Sequence, residues 1–299
     1  MGKKGKKAQA GKPKKLTPKD VGKRLNTLAK NLEEELEGAE LFVPLPPMED
    51  CAICLVPIGI NTEKMYHACC GNTICFACYG ENEEAIKKQN EEKSAGKKLA
   101  FTCPFCREPK PTGDYGAIDR AYLRQIQARC LLNDHVALTL MGNRYRDVDG
   151  LRKDDLKALD CWIRAVELGS AVACGSIAGC YKEGNGVSAN TEKSALFERV
   201  GALRGDVCAR HSIGWDEYCT FGNYEIGIRH WKIAAEAGYE KSLFWLKNTY
   251  NADGKLPGKE FISKEELDTI SRSGHEAQME VTSEEREKLK TVGALLTYM

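Results

Sequence analysis

Eight cysteines fall between residues 51 and 106. Six stand as three Cys-x-x-Cys pairs: Cys51 with Cys54, Cys75 with Cys78, and Cys103 with Cys106. The other two, Cys69 and Cys70, are adjacent and follow His67 closely. A Cys-x-x-Cys turn can set two thiolates on one edge of a tetrahedron, with metal–sulfur distances of ~2.3 Å when the metal is zinc. Three pairs and the Cys69–Cys70 region supply eight ligands, enough for two closed structural zinc sites. Binding at such sites provides folding free energy that a short segment lacks. Zinc held by four protein ligands has no open position for water, so metal-assisted hydrolysis is not expected. Disulfides are the alternative use of so much sulfur, and they need an oxidising compartment. The N-terminus, "MGKKGKKAQAGKPKK", is basic and lacks the apolar segment of a signal peptide. The reading is therefore of an intracellular protein, cytoplasmic or nuclear, with reduced cysteines.

No other reactive constellation stands out. The sequence has no Gly-rich phosphate loop, no nucleophile elbow and no His-Glu-x-x-His. The chain of 299 residues is long enough for about two domains. Charged residues make up 29% of it and no apolar run reaches bilayer length, so no transmembrane segment is expected. The formal net charge of +1 hides a tail, residues 1–15, that carries Lys3, Lys4, Lys6, Lys7, Lys12, Lys14 and Lys15 and no acid. Such a tail reads as a disordered solubilising segment, with nuclear import or an RNA or membrane-surface contact as alternatives. No aromatic residue interleaves it to stack bases, which weighs against nucleic acid.

The elements that must position the cysteines follow from hydrophobic spacing. In residues 16–40, Thr17 can cap a helix with Pro18 in its first turn, and Val21, Leu25, Leu28, Leu32 and Leu36 form one apolar stripe. A lone amphipathic helix cannot bury that stripe, so it must pack on the rest of the chain or on a partner. The metal module spans 48–110. A connecting helix is expected in 111–134, where the sequence reads "DYGAIDRAYLRQIQARCLL". Residues 135–255 then repeat with a period in the mid-thirties. Gly142, Ala178 and Gly214 are spaced 36 and 36, and Gly169, Gly205 and Gly238 are spaced 36 and 33. An aromatic precedes each member of the second set: Trp162, Phe197 and Trp231. This is the period of helix–turn–helix units that stack into a solenoid, a small residue admitting close helix approach and an aromatic filling the groove beside it. Residues 256–299 contain two capping-box patterns, Ser263 with Glu266 and Thr282 with Glu285, and are expected to form helices that cap the solenoid. Six further cysteines, Cys130, Cys161, Cys174, Cys180, Cys208 and Cys219, are scattered singly and read as buried structural thiols.

Two family resemblances rest on these residues. The small residue of each first helix, the "EGNGV" turn and the second helices "KALDCWIRAVELGSA" and "HWKIAAEAGYEKS" resemble the Sel-one-like repeat, a relative of the tetratricopeptide repeat. The cysteine order from Cys51 to Lys110 resembles the RING finger. Together they imply a mostly α-helical chain: a small two-zinc, cross-brace RING module followed by an α-helical repeat solenoid. The RING resemblance implies that the first and third pairs, Cys51, Cys54, Cys75 and Cys78, share one zinc. It implies that Cys103, Cys106, Cys70 and one further residue share the other. The commonest RING has a histidine two residues after the third cysteine, where this chain has Asn72. The stretch "CGNTIC" instead resembles the all-cysteine RING of deadenylase-associated ubiquitin ligases, whose spacing Cys70 meets. The eighth ligand is then expected at Cys69, with His67 as the alternative. Ala68 occupies the usual position, so a local rearrangement is expected.

The RING resemblance further implies a ubiquitin ligase that binds a ubiquitin-conjugating enzyme. Ile53 matches the aliphatic groove residue, Pro104 the proline of the last pair, and Arg107 the cation that orients the thioester. The helix after the sixth cysteine, "GENEEAIKKQNEEK", has no Trp and offers only Ile86 to the groove. The ligase would select a protein partner through its repeats. The competing reading is a non-enzymatic zinc-binding adaptor, in which Ile53 simply packs and Arg107 is a solvated loop residue.

Overall fold

The computed structural model describes residues 16–46, 49–55, 58, 64–91, 99–147, 151–252 and 255–279. The basic tail and the Thr282–Glu285 capping box lie outside them. In chain order the elements begin with α1 (Pro18–Leu36), the hairpin β1 (Lys64–His67) and β2 (Asn72–Cys75), α2 (Phe76–Glu91) and α3 (Tyr115–Leu131). Then come α4 (His135–Asp147), α5 (Asp155–Glu167), α6 (Ala171–Glu183), α7 (Thr191–Leu203), α8 (Val207–Trp215), α9 (Tyr224–Glu236), α10 (Glu240–Asn251) and α11 (Lys264–Met279).

Local chemistry sets the helix ends. Thr17, Asp114, Asp154, Ser170, Asn190 and Asp206 each accept a backbone N–H of the first turn of the helix they precede. Gly184, at φ 78°, ends α6, the first helix of its pair, and Gly169, Gly205 and Gly238 take left-handed backbone at the equivalent position after each second helix. Ser263 and Glu266 form the expected capping box, with N–H bonds of 2.9 and 3.1 Å in the two directions, and start α11.

The helices pair as α4 with α5, α6 with α7 and α8 with α9, and each pair stacks on the next: this is an α-helical repeat solenoid. The small-residue rule has a direct cause here. A methyl group added at Gly142 would overlap the Trp162 indole, and one at Gly214 would lie 2.6 Å from Trp231 Cδ1. Trp162, Phe197 and Trp231 are fully buried between the helices of their pairs. The third unit departs from the first two. α8 has nine residues and runs into a π-helical turn, Asp216–Thr220. That turn buries Tyr218 against Trp231 (ring centroids 4.9 Å apart), and the Tyr218 hydroxyl donates to the Pro257 carbonyl at 2.6 Å. α11 packs on α9 and α10 and closes this end of the core.

α1 finds its partner within the chain. Val21, Leu25, Leu28 and Leu32 are buried against α5 and α7, in one core with Trp162, Ile163 and Phe197. Arg24 pairs with Asp160 and Glu167, and the Arg204 guanidinium donates to both Glu35 carboxylate oxygens at 2.7 and 2.9 Å. The cysteine-rich module is anchored at the other end of this core, where Tyr66 and Ala68 join Ile126 and Leu138. The Tyr66 hydroxyl donates to Asp134 Oδ2 at 2.7 Å. The same carboxylate accepts from Arg129 Nη2 at 2.7 Å and from the N–H groups of Val136 and Ala137, capping α4.

The scattered cysteines divide. Cys130, Cys174 and Cys180 are buried and Cys161 is half-buried. Cys208 and Cys219 are exposed, contrary to the expectation of buried thiols: they sit on the solvent face of α8 and on the π-turn that interrupts the repeat register.

Packing at the glycines makes a signed prediction. Gly214→Ala should lower stability by about 1–3 kcal/mol through overpacking against Trp231. Gly179→Ala, where an added methyl meets nothing within 4 Å, should raise it by about 0.5–1 kcal/mol through helix propensity. Urea midpoints followed by far-ultraviolet circular dichroism check both, and shifts of the same sign would remove the packing explanation.

Candidate metal centre

Two Cys-x-x-Cys loops in this module share one backbone geometry. In the first, the Leu55 N–H donates to the Cys51 carbonyl at 2.9 Å, and Leu55 has φ 57°. In the second, the Arg107 N–H donates to the Cys103 carbonyl at 3.1 Å, and Arg107 has φ 61°. Each loop is thus a tight turn closed by a left-handed residue, and neither residue is the glycine that such a conformation favours. The turn brings the two sulfurs of a pair to the same side. The second loop is held by the Cys103 N–H to Glu108 carbonyl bond at 2.8 Å and the Lys110 N–H to Phe101 carbonyl bond at 2.7 Å.

The β1–β2 hairpin supplies the remaining cysteines. Its strands pair antiparallel with His67 opposite Asn72, so the connection is the four residues Ala68–Gly71. Both Cys70 and Gly71 N–H groups donate to the His67 carbonyl, at 3.1 and 2.7 Å. Gly71 is left-handed (φ 85°), and a side chain there would collide with the Arg129 guanidinium. This compact turn joins the two strands. Ala68 is drawn into the solenoid core, and Cys69 and Cys70 are both turned to the module. At the other end of β2, Cys75 is buried and Cys78 follows on the first turn of α2.

The structure gathers the eight sulfurs into two quartets. Cys51, Cys54, Cys75 and Cys78 form one, and Cys69, Cys70, Cys103 and Cys106 the other, the sulfurs of each lying within 4.8 Å of one another. The pairs therefore interleave along the chain, first with third and second with fourth. His67 belongs to neither quartet. It is buried beside Tyr79 and Phe105, with ring centroids 6.2 and 6.0 Å away, and its Nε2 has no hydrogen-bond partner among the described residues.

The donor chemistry of the quartets fits a divalent cation. Burial alone would push the Cys51 thiol up, but N–H groups of Cys54, Cys75 and Ile53 aimed at its sulfur outweigh it and bring the pKa down to about 7. Burial and neighbouring sulfurs push Cys69 and Cys78 up. The Glu108 N–H holds Cys106 down. Four thiolates this close repel one another, and a bound cation removes that conflict by neutralising them. Asn72 donates its amide to the Cys70 sulfur at 3.3 Å, an outer hydrogen bond of the sort that orients a ligand. Both quartets could hold a metal ion.

The remaining candidate residues lie on the module's surface. Ile53, within the first loop, is 42% exposed, and Leu55 beside it is 75% exposed. Pro104 is half-buried and Arg107 is exposed on the second loop. Ile86 is half-buried on α2, whose Glu83 pairs with Lys110 at 2.6 Å while that ammonium sits 4.0 Å from the Tyr79 ring centroid. The anchoring contact between Tyr66 and Asp134 had no signal in the sequence, since a tyrosine in a strand and an aspartate before a helix are each ordinary.

No protein-family description matches the chain, and no curated protein matches it. Among solved structures the chain is similar to a Sel1 repeat protein from Oxalobacter formigenes, with 24% identity and a TM-score of 0.46, over 54% of this chain and 66% of that one. It is also similar to c5321, a protective antigen of uropathogenic Escherichia coli strains displaying an SLR fold. That match has 21% identity and a TM-score of 0.43, over 65% of this chain and 40% of that one. Among the described residues no helix is long and apolar enough to cross a membrane.

Elemental analysis of the purified chain should find two metal ions. Cys51→Ser and Cys103→Ser should each lose one, and Cys208→Ser neither. Cys69→Ala should lose one ion and His67→Ala none. A single ion in the wild-type chain would remove the two-site reading, and the reverse result at Cys69 and His67 would transfer the eighth position to the histidine.

Proposed function

We propose that the chain is a RING-type ubiquitin ligase. Two structural zinc ions hold its module, a ubiquitin-conjugating enzyme docks on that module, and the helical repeats select a protein partner. The observation that supports this reading is the interleaving of the quartets, first pair with third and second with fourth. All-sulfur tetrahedral donor sets suit zinc, which binds without redox chemistry and here would cross-link loops that share little apolar core. The repeats belong, in this reading, to the Sel-one-like class, and their curved helical surface suits a protein partner. The chain then works inside the cell.

The ligase mechanism asks the protein for position and not for a nucleophile. The Ile53 side chain, displayed on the first loop, offers the conjugating enzyme an apolar contact, and Pro104 supports the second side of that groove. Arg107 presents a planar, permanently charged donor array to the enzyme–ubiquitin thioester. Holding the thioester in an attackable pose accelerates transfer to a lysine through lost freedom already supplied by binding. The second reading, a zinc-binding adaptor, is favoured by α2, whose exposed face is charged and gives the groove only Ile86.

The experiment is discharge of ubiquitin from a panel of charged conjugating enzymes to free lysine. Ile53→Ala should weaken enzyme binding by about 2 kcal/mol, more than tenfold, if the partner buries it as an interface anchor. Arg107→Gly suits the left-handed backbone at that position, so the loop is retained while the guanidinium is lost. It should leave binding near wild type and slow discharge. Both variants should keep two metal ions. A wild-type chain that accelerates discharge from no enzyme of the panel gives the adaptor reading instead.

A further inference from the structure

Beyond α1 the chain crosses the solenoid as a strap, residues 37–46, before it reaches Cys51. None of these residues is buried, and residues 40–46 make no backbone–backbone hydrogen bond to the helices. What lies beneath them is different in kind. Arg210 of α8 is 0% exposed, and His230 of α9 is 2% exposed. Arg210 donates Nη1 to the Leu41 carbonyl and Nη2 to the Ala202 carbonyl, the latter at 3.0 Å, and among the described residues its Nε has no partner. His230 Nδ1 has none either. The Phe42 ring covers His230 with centroids 4.9 Å apart, and the Arg229 guanidinium sits 3.8 Å from the centroid of that ring. Pro46 rests over Gly205, where a Cβ would overlap it.

A fully buried guanidinium answered by two carbonyl dipoles is an unfinished interaction. Burying a charge is expensive unless an opposite charge meets it. Among the described residues no acid offsets the burial of Arg210 or His230, and burial, reinforced by the positive charges of Arg210, Arg229 and Arg199, holds His230 down to about 4. Arg199 lines a separate surface hollow with Lys30, Glu33, Glu34 and Glu37. The strap thus brings an aromatic ring and one carbonyl to a pocket whose buried donors are suited to a carboxylate.

The geometry points to a peptide-binding site between α8 and α9 for an extended, acidic segment of a partner protein, with residues 41–46 as its built-in cover. A carboxylate of the partner takes the place of the Leu41 carbonyl on Arg210, where a bidentate, charge-assisted pair engages Nε as well. An aromatic side chain beside it enters the slot between Arg229 and His230 that Phe42 fills. α1 need not move, because its buried stripe and its Arg24 and Glu35 ion pairs lie before the strap. The site is separate from the cysteine quartets and does not depend on ubiquitin transfer.

Fluorescence anisotropy on the full, metal-loaded chain tests this with two labelled peptides, Gly-Ser-Glu-Asp-Phe-Val-Pro-Gly and its amide counterpart Gly-Ser-Gln-Asn-Phe-Val-Pro-Gly. Phe42→Ser loosens the cover and should bind the acidic peptide at least about tenfold more tightly than wild type does. On that background the amide peptide should bind at least about tenfold more weakly than the acidic one, as loss of a charged hydrogen-bonded pair requires. Arg210→Met should abolish the preference. Because a buried arginine can be needed for folding, Arg229→Gln, at an exposed position, is the second variant and should weaken the acidic peptide several-fold with helicity unchanged. Equal binding of the two peptides by the Phe42→Ser chain, or no saturable binding of either, overturns the proposal.

Discussion

One carboxylate joins the two halves of this protein. Asp134 ends the turn after α3 and caps α4, which any aspartate could do. It also receives the Tyr66 hydroxyl from the strand that leads into the Cys69–Cys70 turn, and the Arg129 guanidinium that packs against Gly71. Burial would raise its pKa, but these hydrogen bonds dominate and hold the carboxyl below its usual range. Burial and the same carboxylate raise the Tyr66 phenol, so that it remains a donor. The carboxylate stays ionised at neutral pH and keeps all its acceptor sites in use. The cysteine turn and the first repeat are thereby fixed to each other by one hydrogen-bonded cluster, and the buried Tyr66 and Ala68 add apolar contact to it.

The solenoid depends on a different constraint, the volume beside each tryptophan. Gly142 against Trp162 and Gly214 against Trp231 let helix backbones approach until the indole is enclosed. The middle unit meets the same need with Ala178 and stacks Tyr181 on Phe197, ring centroids 5.9 Å apart. The third unit cannot keep the regular turn, because its π-helical segment carries Tyr218 inward. There the solenoid trades periodicity for an aromatic cluster of Tyr218, Tyr224, Trp231 and Trp245.

Much of this was legible because it is local. Caps such as Thr17, Asn190 and Ser263 act within three residues, the repeat spacing reports which helix faces meet, and Cys-x-x-Cys pairs announce themselves. The stripe of α1 was equally clear, whereas its seat on α5 and α7 was not, since nothing in a stripe names the surface that will cover it. Three further features were hidden for physical reasons. Leu55 and Arg107 take left-handed backbone that their side chains do not advertise. Cys208 and Cys219 are the same residue type as the buried cysteines, and only the fold puts them at exposed positions of α8 and the π-turn. Nothing in the residue types of Arg210 and His230 marks them, and only the fold places them beneath Leu41 and Phe42.

The seat of α1 also bears on how the chain is made. Glu35 meets Arg204 and Arg24 meets Asp160 across 169 and 136 residues of sequence. At elongation rates of about 5–20 residues per second, the first helix leaves the ribosome roughly ten to thirty seconds before α7 has been synthesised. Until α5 and then α7 follow, its leucine stripe lacks its seat. The last helices of the core therefore capture the first one, and the newborn chain exposes an apolar surface of the sort that chaperones hold until that capture is complete.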